Sequence, residues 1–144
     1  MKLRALIPSV LLSLQALAVV PAHADKLAVI VHNERSAKLD LEEIAQIFLK
    51  RRRYWAGGDP IVPVNREAGS PARDVFSREV LGLGSSQLGL YWNREYFRGV
   101  LPPPTLASDE AIRRYVSRDR RAIGYVDARM IDDTVRVVLY IDPD

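Results

Sequence analysis

Asn65-Arg66-Glu67-Ala68-Gly69-Ser70-Pro71-Ala72-Arg73-Asp74 is the stretch that decides how this chain folds. Ser70 has the chemistry of a helix cap, and Pro71 behind it suits the first helical position, where no N–H is needed. The four residues before the stretch, Ile61-Val62-Pro63-Val64, read as a short strand. After it, Val75, Phe76, Val80 and Leu81 recur at helical spacing until Gly82 and Gly84 stop the pattern. A strand therefore turns into a helix at Gly69-Ser70. The turn gathers backbone N–H groups, a hydroxyl and the guanidiniums of Arg66 and Arg73. That combination at a helix N-terminus suits a small oxyanion. A purely structural alternative uses the same residues: Ser70 caps the helix by accepting from the Arg73 N–H, and Arg66 pairs with Glu67 or Asp74.

Outward from this turn the pattern alternates strands and helices. Leu27 to His32 is an apolar, β-branched strand. Asp40-Leu41-Glu42-Glu43 matches a capping box, followed by the stripe Leu41, Ile44, Ala45 and Phe48. Lys50 to Arg53 then places positive charge at that helix's C-terminal end. A further helix is expected over about 86–96, with Leu88, Tyr91, Trp92 and Tyr96 on one buried face. Pro102-Pro103-Pro104 forbids helix, and Ser108 caps the last one, which buries Ile112, Tyr115 and Val116. Strands follow over 122–126 and 135–141, with Asp132-Asp133 as a turn between them. There is no internal repeat, low-complexity tract or long linker. The alternation predicts an α/β domain around a central mixed sheet.

Residues 1–24 have the make-up of a cleaved secretion signal: Lys2 and Arg4, an apolar stretch from Ala5 to Val20, then Ala22-His23-Ala24. Cleavage there starts the mature chain at Asp25, leaving residues 25–144 as one domain. The full chain has 21 Lys+Arg and 18 Asp+Glu; without Lys2 and Arg4, 19 bases face 18 acids, a net charge of +1. So small an excess gives nucleic-acid binding little support, and export disfavours it further. With no cysteine the chain has neither disulfide nor thiol chemistry, which suits a periplasmic location better than a disulfide-stapled scaffold. His32 is the only histidine after the leader, and no Ser/His/acid set accompanies it, so neither a metal site nor a catalytic residue is expected.

The ordered series Leu41, Ile47-Phe48, Trp55, Gly58, Ile61, Val64-Asn65-Arg66, Gly69-Ser70, Arg73 and Phe76 resembles the second lobe of phosphate-type periplasmic solute-binding proteins. These are the PBP-like components of ABC phosphate importers. Tyr91-Trp92, Phe97-Arg98-Gly99, Tyr115-Val116 and Ala122-Ile123-Gly124-Tyr125-Val126 continue the series over nearly all of the mature chain. The resemblance implies one lobe of a periplasmic-binding-protein-like fold, a central mixed β-sheet flanked by about four helices. It also implies anion binding by Arg66, Gly69 and Ser70, with Arg73 an additional guanidinium nearby. Two departures weaken the implied site. The family's loop reads Gly-Ser-Gly-Thr, whereas here Pro71 removes one N–H and Ala72 one hydroxyl. In addition, the family closes two lobes around its ligand, and this chain is about the size of one.

The expectation is an exported, non-catalytic binding domain whose ligand is a small oxyanion, phosphate or sulfate, bound without a cofactor. A protein partner or a homodimer covers the face that a second lobe would occupy, and no segment of the mature chain spans a membrane. The alternative is a structural or interaction module that kept the fold and lost the ligand. A hydrolase using carboxylate pairs is the remote third option. Three or four charge-assisted hydrogen bonds contribute about 5–12 kcal/mol, against an association cost of at least about 4. An open site therefore belongs at the weak, millimolar end.

Overall fold

The computed structural model describes residues 26–144. The leader expected over residues 1–24, and its cleavage point before Asp25, lie outside them. Strand β1 (Leu27–His32) runs through the middle of a four-stranded mixed sheet. It pairs antiparallel with β5 (Ala122–Asp127) on one side and β6 (Val135–Ile141) on the other. β2 (Val62–Pro63) adds in parallel to β5 at the far edge, where the missing N–H of Pro63 is tolerated. β1 reads as an unbroken apolar run because both of its faces are covered. Leu27, Val29 and Val31 meet Ile44 and Phe48 of helix α1 (Leu41–Phe48) and Phe76 of α2 (Pro71–Phe76). Ala28 and Ile30 meet Ile112 and Val116 of α4 (Asp109–Arg118) on the opposite face. The result is a three-layer α/β lobe, in agreement with the sequence pattern.

The three helix starts expected at Asp40, Ser70 and Ser108 all form, since each needs only a side chain three residues from the N–H it caps. Asp40 accepts from the Glu43 N–H at 2.8 Å, and Glu43 returns the bond by accepting from the Asp40 N–H at 2.9 Å. The end of α1 differs from expectation. Lys50 to Arg53 stand beyond its last turn, not in it. Lys50 takes φ +60° where glycine is usual, with the Arg51 N–H on Gln46 O and the Lys50 N–H on Ile47 O. The helix opened by Ser70 widens into a π-helical turn over Ser77–Leu81 before Gly82 ends it at φ +62°. Apolar spacing does not distinguish that turn from continued α-helix.

The aromatic face of α3 (Ser85–Tyr96) is also narrower than the spacing suggests. Leu88 and Tyr91 are buried beside Leu49, whose carbonyl takes the Tyr91 hydroxyl at 2.7 Å. Trp92 is half-buried and Tyr96 is 63 % exposed. α3 packs mainly through this small cluster at the end of α1, so its last turn runs past the body of the lobe. Leu41 and Tyr115 likewise stay partly outside the cores expected to hold them.

Gly124 sets how closely α4 approaches the sheet. A Cβ there would sit 2.6 Å from Ile112 Cγ2 and 3.1 Å from Val64 Cγ2. Gly124→Ala is therefore expected to destabilise the fold by about 1–3 kcal/mol through overpacking. Urea unfolding checks this, and a neutral result would mean that α4 retreats freely.

Candidate functional site

The site is built on a small parallel pairing of β3 (Asn65–Arg66) with β4 (Thr105–Leu106). The Asn65 N–H donates to Pro104 O at 2.8 Å and the Glu67 N–H to Leu106 O at 3.2 Å. This pairing brings two helix starts together, that of α2 after Ser70 and that of α4 after Ser108. Tyr125 on β5 supports β3 from below. Its hydroxyl donates to Asn65 Oδ1 and accepts from the Arg66 N–H at 3.3 Å. Its ring stacks on Phe76 with centroids 3.9 Å apart and planes 3° from parallel.

At the turn, Gly69 takes φ +83°, a conformation costly for any residue with a Cβ. Ser70 is buried, and its Oγ accepts from the Arg73 N–H at 3.1 Å. Asp74 makes the first helical bond, to Ser70 O at 3.1 Å. Pro71 has no N–H, so Ala72 carries the remaining backbone donor of the first turn.

The two guanidiniums already have protein partners. Arg66 Nη1 forms an ion pair with Asp109 Oδ1, and Nη2 donates to Ala107 O at 3.3 Å. Arg73 Nη1 donates to the Arg66 carbonyl at 2.5 Å. The partner of Arg66 is thus Asp109, in the first turn of α4, and neither Glu67 nor Asp74. Arg66 Nε is buried without a hydrogen-bond partner among the described residues. Sequence spacing does not mark Asp109, because it lies 43 residues away and meets Arg66 only through the β3–β4 pairing. Read locally, it is an ordinary acid at a helix N-terminus.

The four residues expected to share one site are divided between two concavities. Arg66 lines a cavity of about 230 Å³ together with Leu27, Pro71, Ala72, Asp109 and Asp127. Gly69 and Arg73 line a wider cleft of about 710 Å³ that also takes in Arg78, Gly84, Leu88 and Trp92. Ser70 lies in the turn that separates them. In the smaller cavity one guanidinium faces two carboxylates. Asp127 is held by Arg129 through bonds of 3.0 and 2.7 Å, and its own N–H points to Asp109 Oδ2 at 3.4 Å. An anion placed in this cavity would have to compete with Asp109 for Arg66.

Burial pushes the Tyr125 hydroxyl up to about 12 from its ordinary value near 10. The folded state therefore keeps a proton that the unfolded chain loses first. Stability is full below about pH 10 and falls as pH rises toward about 12. The expected loss is about 2–3 kcal/mol at roughly 1.4 kcal/mol per unit. Tyr125→Phe should remove this slope, as seen in unfolding curves between those pH values.

His32 sits at the end of β1, where its Nδ1 accepts the Glu34 N–H at 3.1 Å. Among the described residues no group of three or more His, Cys, Asp or Glu is placed to hold a metal ion. Nor is any helix among them long and apolar enough to cross a membrane.

Solved structures place this fold among known proteins. The chain superposes on a candidate phosphate ABC transporter substrate-binding protein from Clostridium perfringens, solved with bound phosphate. Identity is 29% and the TM-score 0.62, over 81% of this chain and 46% of the other. An ABC-type phosphate transport receptor from Vibrio cholerae shares the fold at 20% identity and a TM-score of 0.64, over 81% and 47%. The chain thus spans about half the length of each. No curated protein matches it. The family model described as a PBP superfamily domain matches residues 14–137, and the chain belongs to that family.

Proposed function

We propose that this chain is an exported, non-catalytic binding domain that recognises a small oxyanion weakly at the start of α2. In this proposal residues 1–24 are removed as a secretion signal, and residues 25–144 work in the periplasm as one PBP-like domain. The observation that carries it is the likeness, at 29% identity over most of the chain, to a structure solved with bound phosphate. Arg66 and Ala72 supply the donors in the smaller cavity, Gly69 and Ser70 hold the turn and the capped helix start, and Arg73 stands in the wider cleft beside it. Phosphate fits the carboxylate-lined cavity better than sulfate, because near neutral pH it still carries a hydroxyl that can donate a hydrogen bond to Asp127.

Thermal unfolding in phosphate, in sulfate and in chloride of matched ionic strength tests this. At ~10 times the Kd, the anion should add about 1.4 kcal/mol of stability. Phosphate should raise Tm more than sulfate, and Ser70→Ala should reduce the shift. Equal melting in phosphate and chloride would remove the ligand from the proposal. The ligand-free alternative has its own support in the engagement of Arg66 by Asp109 and of Arg73 by the Arg66 carbonyl. It predicts that equal melting. Intact mass of the protein recovered from the periplasm checks export: a chain beginning at Asp25 is expected.

A further inference from the structure

On the side of the lobe formed by the end of α1, the turn that follows it runs beside the segment that follows α3. We propose that the groove between them, walled by Lys50, Arg53, Tyr54, Pro60, Pro63 and Leu101, is a docking site for an acidic, leucine-bearing segment of a protein partner. The groove has a volume of about 380 Å³, room for a few side chains of an extended segment.

Its charge is uncompensated. Arg52 is paired with Glu43 at 2.8 Å, but Lys50, Arg51 and Arg53 have no carboxylate partner among the described residues. Burial first, and then the nearby Arg53, hold the Lys50 pKa below its ordinary value. Two cations are thus kept close together in a concave wall, and a carboxylate placed between them relieves the repulsion. The backbone adds a separate observation. Lys50 takes φ +60°, a region that costs a lysine more than the glycine usual at this capping position. The capping turn thus brings Lys50 into the lining of the groove.

The apolar half of the surface is equally open. Tyr54 is 62 % exposed and Leu101 63 %. Tyrosine beside arginine, with apolar surface between, is the composition of the residues that dominate protein–protein affinity. An acidic protein segment suits these features better than a bilayer does. A headgroup plane reaches protruding charges, whereas Lys50 is partly buried in a concave wall.

The test uses the whole chain and labelled octapeptides followed by fluorescence anisotropy. A peptide alternating Glu and Leu should bind saturably below ~1 mM, and its affinity should fall as salt is raised. The matching Lys–Leu peptide should not bind, and a Glu–Ser peptide should bind at least about fivefold more weakly. Lys50→Gly combined with Arg53→Gln should weaken the Glu–Leu peptide at least about tenfold. Glycine suits φ +60°, so this variant keeps its fold, as circular dichroism should confirm. Tyr54→Ala should weaken it about fivefold. Equal binding of the acidic and basic peptides, no saturation by ~1 mM, or indifference to these substitutions overturns the proposal. So does capture by phosphatidylglycerol vesicles without peptide binding, or sedimentation showing that a second copy fills the groove. At matched ionic strength, phosphate in place of chloride should leave the peptide affinity unchanged, which separates this surface from the start of α2.

Discussion

Phe76→Ala is expected to cost about 3–5 kcal/mol. Phe76 is fully buried, with its ring 4.6 Å from that of Phe48 and stacked at 3.9 Å on Tyr125. These three rings join α1, α2 and the sheet. Removing the middle one opens a cavity between layers that backbone elements hold apart, so little collapse can refill it. The same change frees the Tyr125 ring, whose hydroxyl holds Asn65 and the start of β3. Equilibrium urea unfolding gives the magnitude, with Phe76→Leu as the control that keeps most of the volume and costs under about 1.5 kcal/mol. A loss below about 1 kcal/mol for the alanine variant would show that the rings can slide together, and that β3 is held by its pairing with β4 alone.

What was legible in the sequence is local. The caps at Asp40, Ser70 and Ser108 each link a side chain to an N–H three residues on, so spacing is enough to place them. β1 was legible because a strand buried on both faces cannot alternate. The hidden features all depend on partners distant in the chain. Tyr125 reaches Asn65 across 60 residues and Arg66 reaches Asp109 across 43, and nothing near either pair marks the connection. The exposure of Tyr96 was hidden for the converse reason. Its helical spacing is regular, but spacing says nothing about how far along α3 the neighbouring surface extends. The start of α2 is a mixture of both. Its cap and turn are local and appear as expected, while the engagement of its guanidiniums is a tertiary fact.

Asp109→Ala is expected to cost about 2–4 kcal/mol in chloride, below the range for a fully buried pair because both partners retain some exposure. The Arg66 and Asp109 side chains are 12% and 22% exposed. The substitution leaves Arg66 without its carboxylate, takes an acceptor from the Asp127 N–H, and removes an acid from the first turn of α4. If the cavity takes an oxyanion, the same change removes the group that competes with it. Phosphate should then bind about tenfold more tightly to the variant than to the parent, restoring about 1.4 kcal/mol more of its stability. Thermal unfolding of both proteins across a phosphate series reads the two effects together, with sulfate as the comparison. A variant that stays as unstable in phosphate as in chloride would identify Arg66–Asp109 as a clamp between β3 and α4. A shift that grows on loss of Asp109 would instead identify the carboxylate as the reason why binding in the parent is weak. The two outcomes differ in coupling: the anion leaves the loss unchanged when the pair is only a clamp, and offsets part of it when the carboxylate is a competitor.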